Sequence, residues 1–205
     1  MLNVTRIDGK VSDVDIRLIA NESIIFVAKD EESLPDFNDL DYNVCFDLKL
    51  AEDTVIPHKS RHVLAKTGLK VSYPEISPLG LFIYPRSSLF VKTGLILANH
   101  VGIIDPSYRG EILLSLYALD VDKLTSFVDE TTSDGDLVLP KGTRLCQATF
   151  QLVYRGRLLS GLSEIVTLKL PRCIYYIVDE DVFNRWDQIV PSRRGEGGFG
   201  STGTK

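Results

Sequence analysis

Gly110-Glu111-Ile112-Leu113-Leu114-Ser115-Leu116-Tyr117-Ala118-Leu119 is the strongest apolar run of the chain, and it ends at the polar Asp120. It has the length of a buried strand and falls well short of the roughly 18 apolar residues a spanning helix needs. Runs of the same kind, rich in Val, Ile, Leu, Phe and Tyr, recur at residues 23–28, 43–50, 62–72, 79–84, 144–154 and 164–170. Pro57, Pro74, Pro78, Pro85, Pro106 and Pro140 punctuate them. Proline suits strand ends and turns and opposes long helices, so the rhythm predicts an all-β domain. A barrel or jelly roll is expected, because closure hides the edges such strands create.

Three stretches break the rhythm. The acidic residues 29–41 and the polar residues 120–136 are expected to be exposed loops, and residues 174–192 include a short helix over 178–186. The last thirteen residues, 193–205, are rich in Gly, Ser and Thr and predict a flexible tail on a single unit spanning 1–192.

Composition narrows the function. The chain has 205 residues, with 23 Lys and Arg against 28 Asp and Glu, for a net charge of −5. That balance lacks the basic footprint needed to bind a nucleic-acid polymer, whereas a small anion needs only a few local donors. The mixed charges near the N-terminus and the lack of a long apolar segment predict a soluble, intracellular, cytoplasmic protein, with a nuclear or host-cell location left open. Cys45, Cys146 and Cys173 are odd in number and lie among apolar neighbours, which fits small buried hydrophobes better than disulfides. Neither they nor His58, His62 and His100 show paired zinc-ligand spacing.

Five segments carry groups suited to chemistry. In Arg194-Gly195-Glu196-Gly197-Gly198-Phe199-Gly200-Ser201-Thr202-Gly203 the glycines allow close backbone approach, Arg194, Ser201 and Thr202 supply donors, and Phe199 offers a stacking face. Together they can cap a nucleotide; a disordered terminus is the plainer reading. Gly102-Ile103-Ile104-Asp105-Pro106-Ser107-Tyr108-Arg109-Gly110-Glu111 holds a carboxylate and an aromatic across a turn. Asp105 can take a proton from water there while Tyr108 packs on a sugar or base. The alternative is an Asx-type turn with Tyr108 in the core. Pro85-Arg86-Ser87-Ser88-Leu89 offers a guanidinium and hydroxyls for an anion, and Gly142-Thr143-Arg144-Leu145-Cys146-Gln147 ends on an amide donor, with Arg144 and Leu145 expected on opposite faces. In Cys45-Phe46-Asp47-Leu48 one acid can hold water on Mg²⁺ while substrate phosphates bind the ion directly.

In this order the five segments resemble the five sequence blocks of the trimeric dUTPase family: Val44-Cys45-Phe46-Asp47-Leu48, residues 85–89, 102–111, 142–147 and 194–203. The linking stretches Lys66-Thr67-Gly68-Leu69 and Lys92-Thr93-Gly94-Leu95-Ile96-Leu97-Ala98-Asn99 look similar as well. The resemblance implies a distorted jelly-roll β-barrel with a glycine-rich C-terminal arm. It implies hydrolysis of dUTP to dUMP and pyrophosphate, limiting uracil in DNA and supplying dUMP for dTTP synthesis. It also implies a homotrimer in which three subunits build each site. Asp105 would activate the water, and Tyr108 would wall off a 2′-hydroxyl. Asn99, with Ile104 in the same block, would frame the uracil. Arg86, Ser87, Ser88 and Gln147 would meet phosphates, and Asp47 would hold a magnesium-bound water. Arg194, Gly198, Gly200, Ser201 and Thr202 would close over the nucleotide while Phe199 stacks on it.

The chain also departs from the family. Cys45 and Ser88 stand where the family usually has glycine, Ser107 replaces an acidic position, and extra material appears at the N-terminus and near 120–136 and 155–192. The related dCTP deaminases share the Arg-Ser-Ser-Leu segment but need a glutamate and an arginine where this chain has Ser115 and Val91. A third reading is a dUTPase-fold protein that binds a protein partner through its inserted segments, with Tyr175, Tyr176 and Trp186 as docking aromatics; the plainer alternative packs them on the barrel.

Overall fold

A computed structural model describes residues 4–6, 13–20, 22–35, 37, 43–74, 77–153 and 172–198. Within them the strands are β1 (Val4–Arg6), β2 (Ser23–Ala28), β3 (Phe46–Lys49), β4 (Thr54–Ile56), β5 (His62–Lys66), β6 (Leu69–Ser72), β7 (Leu79–Pro85), β8 (Leu95–Leu97), β9 (Gly102–Ile104), β10 (Leu113–Ala118), β11 (Glu130–Thr131), β12 (Leu137–Leu139), β13 (Arg144–Leu152) and β14 (Arg172–Ile177). The helices are α1 (Asp13–Ala20), α2 (Leu89–Thr93), α3 (Val121–Phe127), α4 (Glu180–Asn184) and α5 (Trp186–Ile189). The fold is the predicted all-β jelly-roll type, with the short helix expected over 178–186 present as α4. The expected strand at 164–170 lies outside the described residues. No helix among the described residues is long and apolar enough to cross a membrane.

Four sheets enclose the core: β3-β13-β7-β9, β5-β10-β8, β11-β12-β4 and β1-β14-β2-β6. Residues 62–72, read as one strand, form two. They break at Thr67-Gly68, where Gly68 takes φ +62° and a Cβ would collide with Ser33.

The β1-β14-β2-β6 sheet is buried on both faces. Ile24, Phe26 and Ala28 of β2 point into the main core, whereas Ile25 and Val27 point outward into a second apolar cluster. That cluster is closed by Ile16 and Ala20 of α1 and by Phe183, Trp186, Ile189 and Val190 around α4 and α5. Residues 16, 19 and 20 share one helical face, which explains why α1 seats there. Every β2 residue is buried, as expected of a strand covered on both sides. Trp186 is fully buried, and its Nε1 donates to Ser72 Oγ at 2.7 Å. Tyr176 is buried too, so Trp186 and Tyr176 do not form a docking surface.

Both predicted exposed loops prove more ordered. In residues 120–136, Asp120 caps α3 by accepting from Lys123 N at 3.0 Å, and Leu124 and Val128 are buried in the core. Glu130 and Thr131 then pair with Val138 and Leu137. Apolar residues at helical spacing outweighed the polar composition of that stretch. In residues 29–41, Ser33 is buried, and Leu34 and Phe37 pack on the core. Cys146 and Cys173 are buried as expected, while Cys45 is half-buried; all three are free thiols.

Candidate active site

Two separate recesses collect the predicted groups. The first forms where β3, β13 and the end of β7 lie side by side. Asp47 stands opposite Gln147, which stands opposite Tyr84. A bulge between Arg144 and Cys146 breaks the alternation of β13, so Leu145 and Cys146 are both buried, while Arg144 is exposed as expected. Asp47 receives Arg86 Nε at 3.1 Å and Arg144 Nη1 at 3.4 Å. Arg86 Nη1 also donates to the Arg144 carbonyl at 3.1 Å, and Gln147 Nε2 donates to the Pro85 carbonyl at 3.2 Å. Ser87, Asn43 and Lys49 complete the recess. Three cations around one carboxylate favour a polyanion.

Ser88 caps α2 with φ −85° and ψ −8°, a conformation open to any L-residue, so replacing glycine there carries no backbone strain. Its hydroxyl makes no capping bond. Cys45 lines the first recess, and burial, then the Asp47 charge, pushes its thiol above the ordinary range.

The second recess is built on β9 and the turn after it. Leu81 of β7 pairs with Ile104, and Tyr108 N donates to the Asp105 carbonyl at 3.0 Å, closing the turn. The Asp105 carboxylate is half-exposed and meets Arg194 Nη1. Tyr108 is 9% exposed, and its hydroxyl donates to the Glu111 carbonyl at 2.8 Å. The ring lies so close to Gly110 that a Cβ there would collide with it, and Gly198 also approaches the ring. Burial first, then Glu196 and Glu111, raises the Tyr108 hydroxyl above the usual tyrosine range, with Arg194 opposing. Asn99, Ile104 and Leu113 line the same recess. Phe199, Gly200, Ser201 and Thr202 lie outside the described residues.

The two recesses share no lining residue. Ile83 lines the second while Arg86 lines the first, three steps along one segment, so they lie roughly 10 Å apart there and face different surroundings. Arg144 and Lys49 escaped the sequence reading as recess groups. Only the β3–β13 register reveals them beside Asp47. Arg109, Lys70 and Glu196 were missed as well, because their partners are distant in sequence.

The dUTPase family model matches residues 39–164 of this chain. The chain belongs to the dUTPase family. It is 31% identical over 157 residues to a deoxyuridine 5'-triphosphate nucleotidohydrolase of Thermobifida fusca (strain YX), covering 77% of this chain and 65% of that protein. It is 30% identical over 159 residues to the enzyme of the same name from Hydrogenobaculum sp. (strain Y04AAS1), covering 78% of this chain and 83% of that one. The chain thus spans slightly less than two thirds of the Thermobifida fusca protein. Among solved structures, a point mutant of the Staphylococcus bacteriophage 80alpha dUTPase with dUpNHpp aligns over 89% of this chain and 99% of its own, at 20% identity and TM-score 0.52. That likeness supports the dUTPase fold.

The deaminase alternative finds no support in the geometry. Ser115 is buried and its hydroxyl lies 2.9 Å from His62 Nε2, while Val91 is 71% exposed. Neither position offers a proton shuttle. A metal cage is missing too: among the described residues no three His, Cys, Asp or Glu side chains gather to hold an ion. The lone Asp47 in a cationic recess fits only an ion carried by the substrate's own phosphates.

Proposed function

We propose that this dUTPase-family chain hydrolyses dUTP to dUMP and pyrophosphate with Mg²⁺, as a homotrimer in the cytoplasm. In this reading residues 1–192 form one unit and 193–205 its arm. The observation that carries it is the division of labour between the recesses: a cationic one holding Asp47, Arg86, Ser87, Arg144 and Gln147, and a separate one holding Asp105 and Tyr108. Because the two are separate on one chain, a complete site requires recesses from two subunits to meet.

Arg86, Ser87, Ser88 and Gln147 bind the phosphates, and Asp47 holds a water of the substrate's metal ion. When bound, Mg²⁺ neutralises triphosphate charge and eases departure of pyrophosphate. Asp105 leaves Arg194 and accepts a proton from water as its oxygen bonds to the α-phosphorus. The α–β bridging P–O bond breaks and the pyrophosphate carries away its electron pair. Freed from Asp105, Arg194 turns to the departing phosphates. The Tyr108 ring, flanked by Gly110 and Gly198, leaves a 2′-hydroxyl desolvated without a partner. Asn99 reads the base edge.

The test is incubation with Mg²⁺ and dUTP, dCTP, dTTP or UTP, with the products separated by ion exchange. Conversion of dUTP alone, lowered in Asp105→Asn by about a hundredfold or more, supports the reading. Uridine products from dCTP, or no turnover of any nucleotide, would overturn it.

A further inference from the structure

The arm of this chain enters the second recess from its own subunit, and it is held there by a built latch. From the geometry we infer that the C-terminal arm closes over the Asp105–Tyr108 turn of its own chain, so that each site draws on two subunits and not three. This inference rests on the proposed activity only for its kinetic test.

Two arginines clamp the root of the arm. Arg17 Nε donates to the Ile189 carbonyl at 2.6 Å, and Arg109 Nε donates to the Val190 carbonyl at 2.9 Å. The same Arg109 guanidinium donates to the carbonyls of Pro106 at 2.6 Å and Tyr108 at 3.0 Å, so one 4%-exposed side chain ties the root to the turn that bears Asp105. Arg194 lies four residues beyond Val190, a reach of at most about 14 Å. While the root is clamped, Arg194 meets the recess beside it and none farther away.

Successive residues then engage the turn. Ser192 Oγ donates to the Ser107 carbonyl at 2.6 Å and accepts from Gly195 N at 3.0 Å. Arg109 N donates to the Gly195 carbonyl at 2.7 Å, and Gly195 forms a parallel bridge with Tyr108. Arg194 meets Asp105, with its guanidinium carbon 5.9 Å from the centre of the Tyr108 ring. Glu196 Oε1 receives Lys70 Nζ at 2.6 Å. The Lys70 side chain is buried, and its ammonium also lies 4.8 Å from the centre of the Phe183 ring. The latch is therefore assembled from β6, from α4 and from the arm itself. The outer layer of α1, α4 and α5 is what fixes the arm root, which gives the extra segments of this chain a function in arm placement.

Two experiments decide it. Asp105→Asn and Arg194→Glu chains are co-expressed with different tags and purified through both. If Asp105 and the arm come from one chain, no mixed site has both, and turnover stays near the level of the crippled parents, about a hundredfold or more below the native protein. Co-assembly of Asp105→Asn with Arg86→Glu, whose lesions lie in different recesses, restores turnover in the same assay. Restoration by the first pair would overturn the inference, and failure of the second pair would overturn the two-subunit site.

The other experiment needs no activity. Light and ¹⁵N-labelled chains are co-assembled and treated with a carbodiimide, which activates the exposed Glu196 carboxylate so that the Lys70 amine displaces the urea and forms an amide. Mass spectrometry should find the Lys70–Glu196 link only within light or within heavy peptides, and lose it in Glu196→Gln. Mixed light–heavy links, or no link at all, would refute the latch. A protein inactive on dUTP that still gives unmixed links would sink the proposed activity and leave the latch standing.

Discussion

Replacing Trp186 by Phe should expose how the outer layer is held. The indole has no solvent access, and its Nε1 donates to Ser72 Oγ at 2.7 Å, itself fully buried. Phe withdraws the donor and part of the ring volume. Leaving the Ser72 hydroxyl without that partner costs about 1–3 kcal/mol, and the residual cavity adds about 1 kcal/mol. For a chain of this size each kcal/mol lowers Tm by about 2–4 °C, so a fall of roughly 5–15 °C is expected. Trp186 is the sole tryptophan, so circular dichroism and not fluorescence must follow the melt. A double-mutant cycle with Ser72→Ala sharpens the test. Once both partners are gone no buried group is orphaned, and the double variant should recover about 1 kcal/mol relative to the sum of the singles. A loss below about 0.5 kcal/mol, or strict additivity, would refute the assigned role of this pair.

Tyr108→Ala should narrow the preference for dUTP over UTP by about tenfold or more, read as the ratio of kcat/KM values; an unchanged ratio would remove Tyr108 from sugar selection. Leu124→Ala should destabilise the protein by about 2–5 kcal/mol in urea unfolding, since this side chain of α3 is fully buried; a shift near zero would restore the reading of 120–136 as a mere surface loop. Alkaline stability should fall from pH 9 toward 12. Burial pushes the Cys146 and Cys173 thiols up to about 12 from the ordinary 9.0. The unfolded chain therefore releases these protons first, stability is full below pH 9, and it is lost as pH rises through the folded values. Cys146→Ala with Cys173→Ala should flatten that slope in unfolding titrations, and an unchanged slope would count against the assignment.

Much of the molecule was readable along the chain. Short apolar runs between prolines led to the strands, and residues 23–28, 79–84 and 144–154 match β2, β7 and β13 closely. The reason is that strand periodicity and turn chemistry are local properties. Asp47, Arg86, Ser87 and Gln147 were legible as anion-binding candidates, and Asp105 with Tyr108 as a turn pair, since each lies in a compact segment whose groups announce their chemistry. The outer layer was less visible, although one signal was present: the unbroken Ile24-Ile25-Phe26-Val27-Ala28 marks a strand buried on both faces and so requires a cover. Residues 120–136 misled because polar composition concealed Leu124 and Val128, each buried by what it packs against. The sequence by itself thus determined the strand pattern, the family and the reacting groups. Tertiary structure alone decided that those groups divide into two recesses and that Arg17, Lys70 and Arg109 tether the arm, because each of these contacts joins residues more than 80 positions apart, and no local pattern encodes a meeting at that separation.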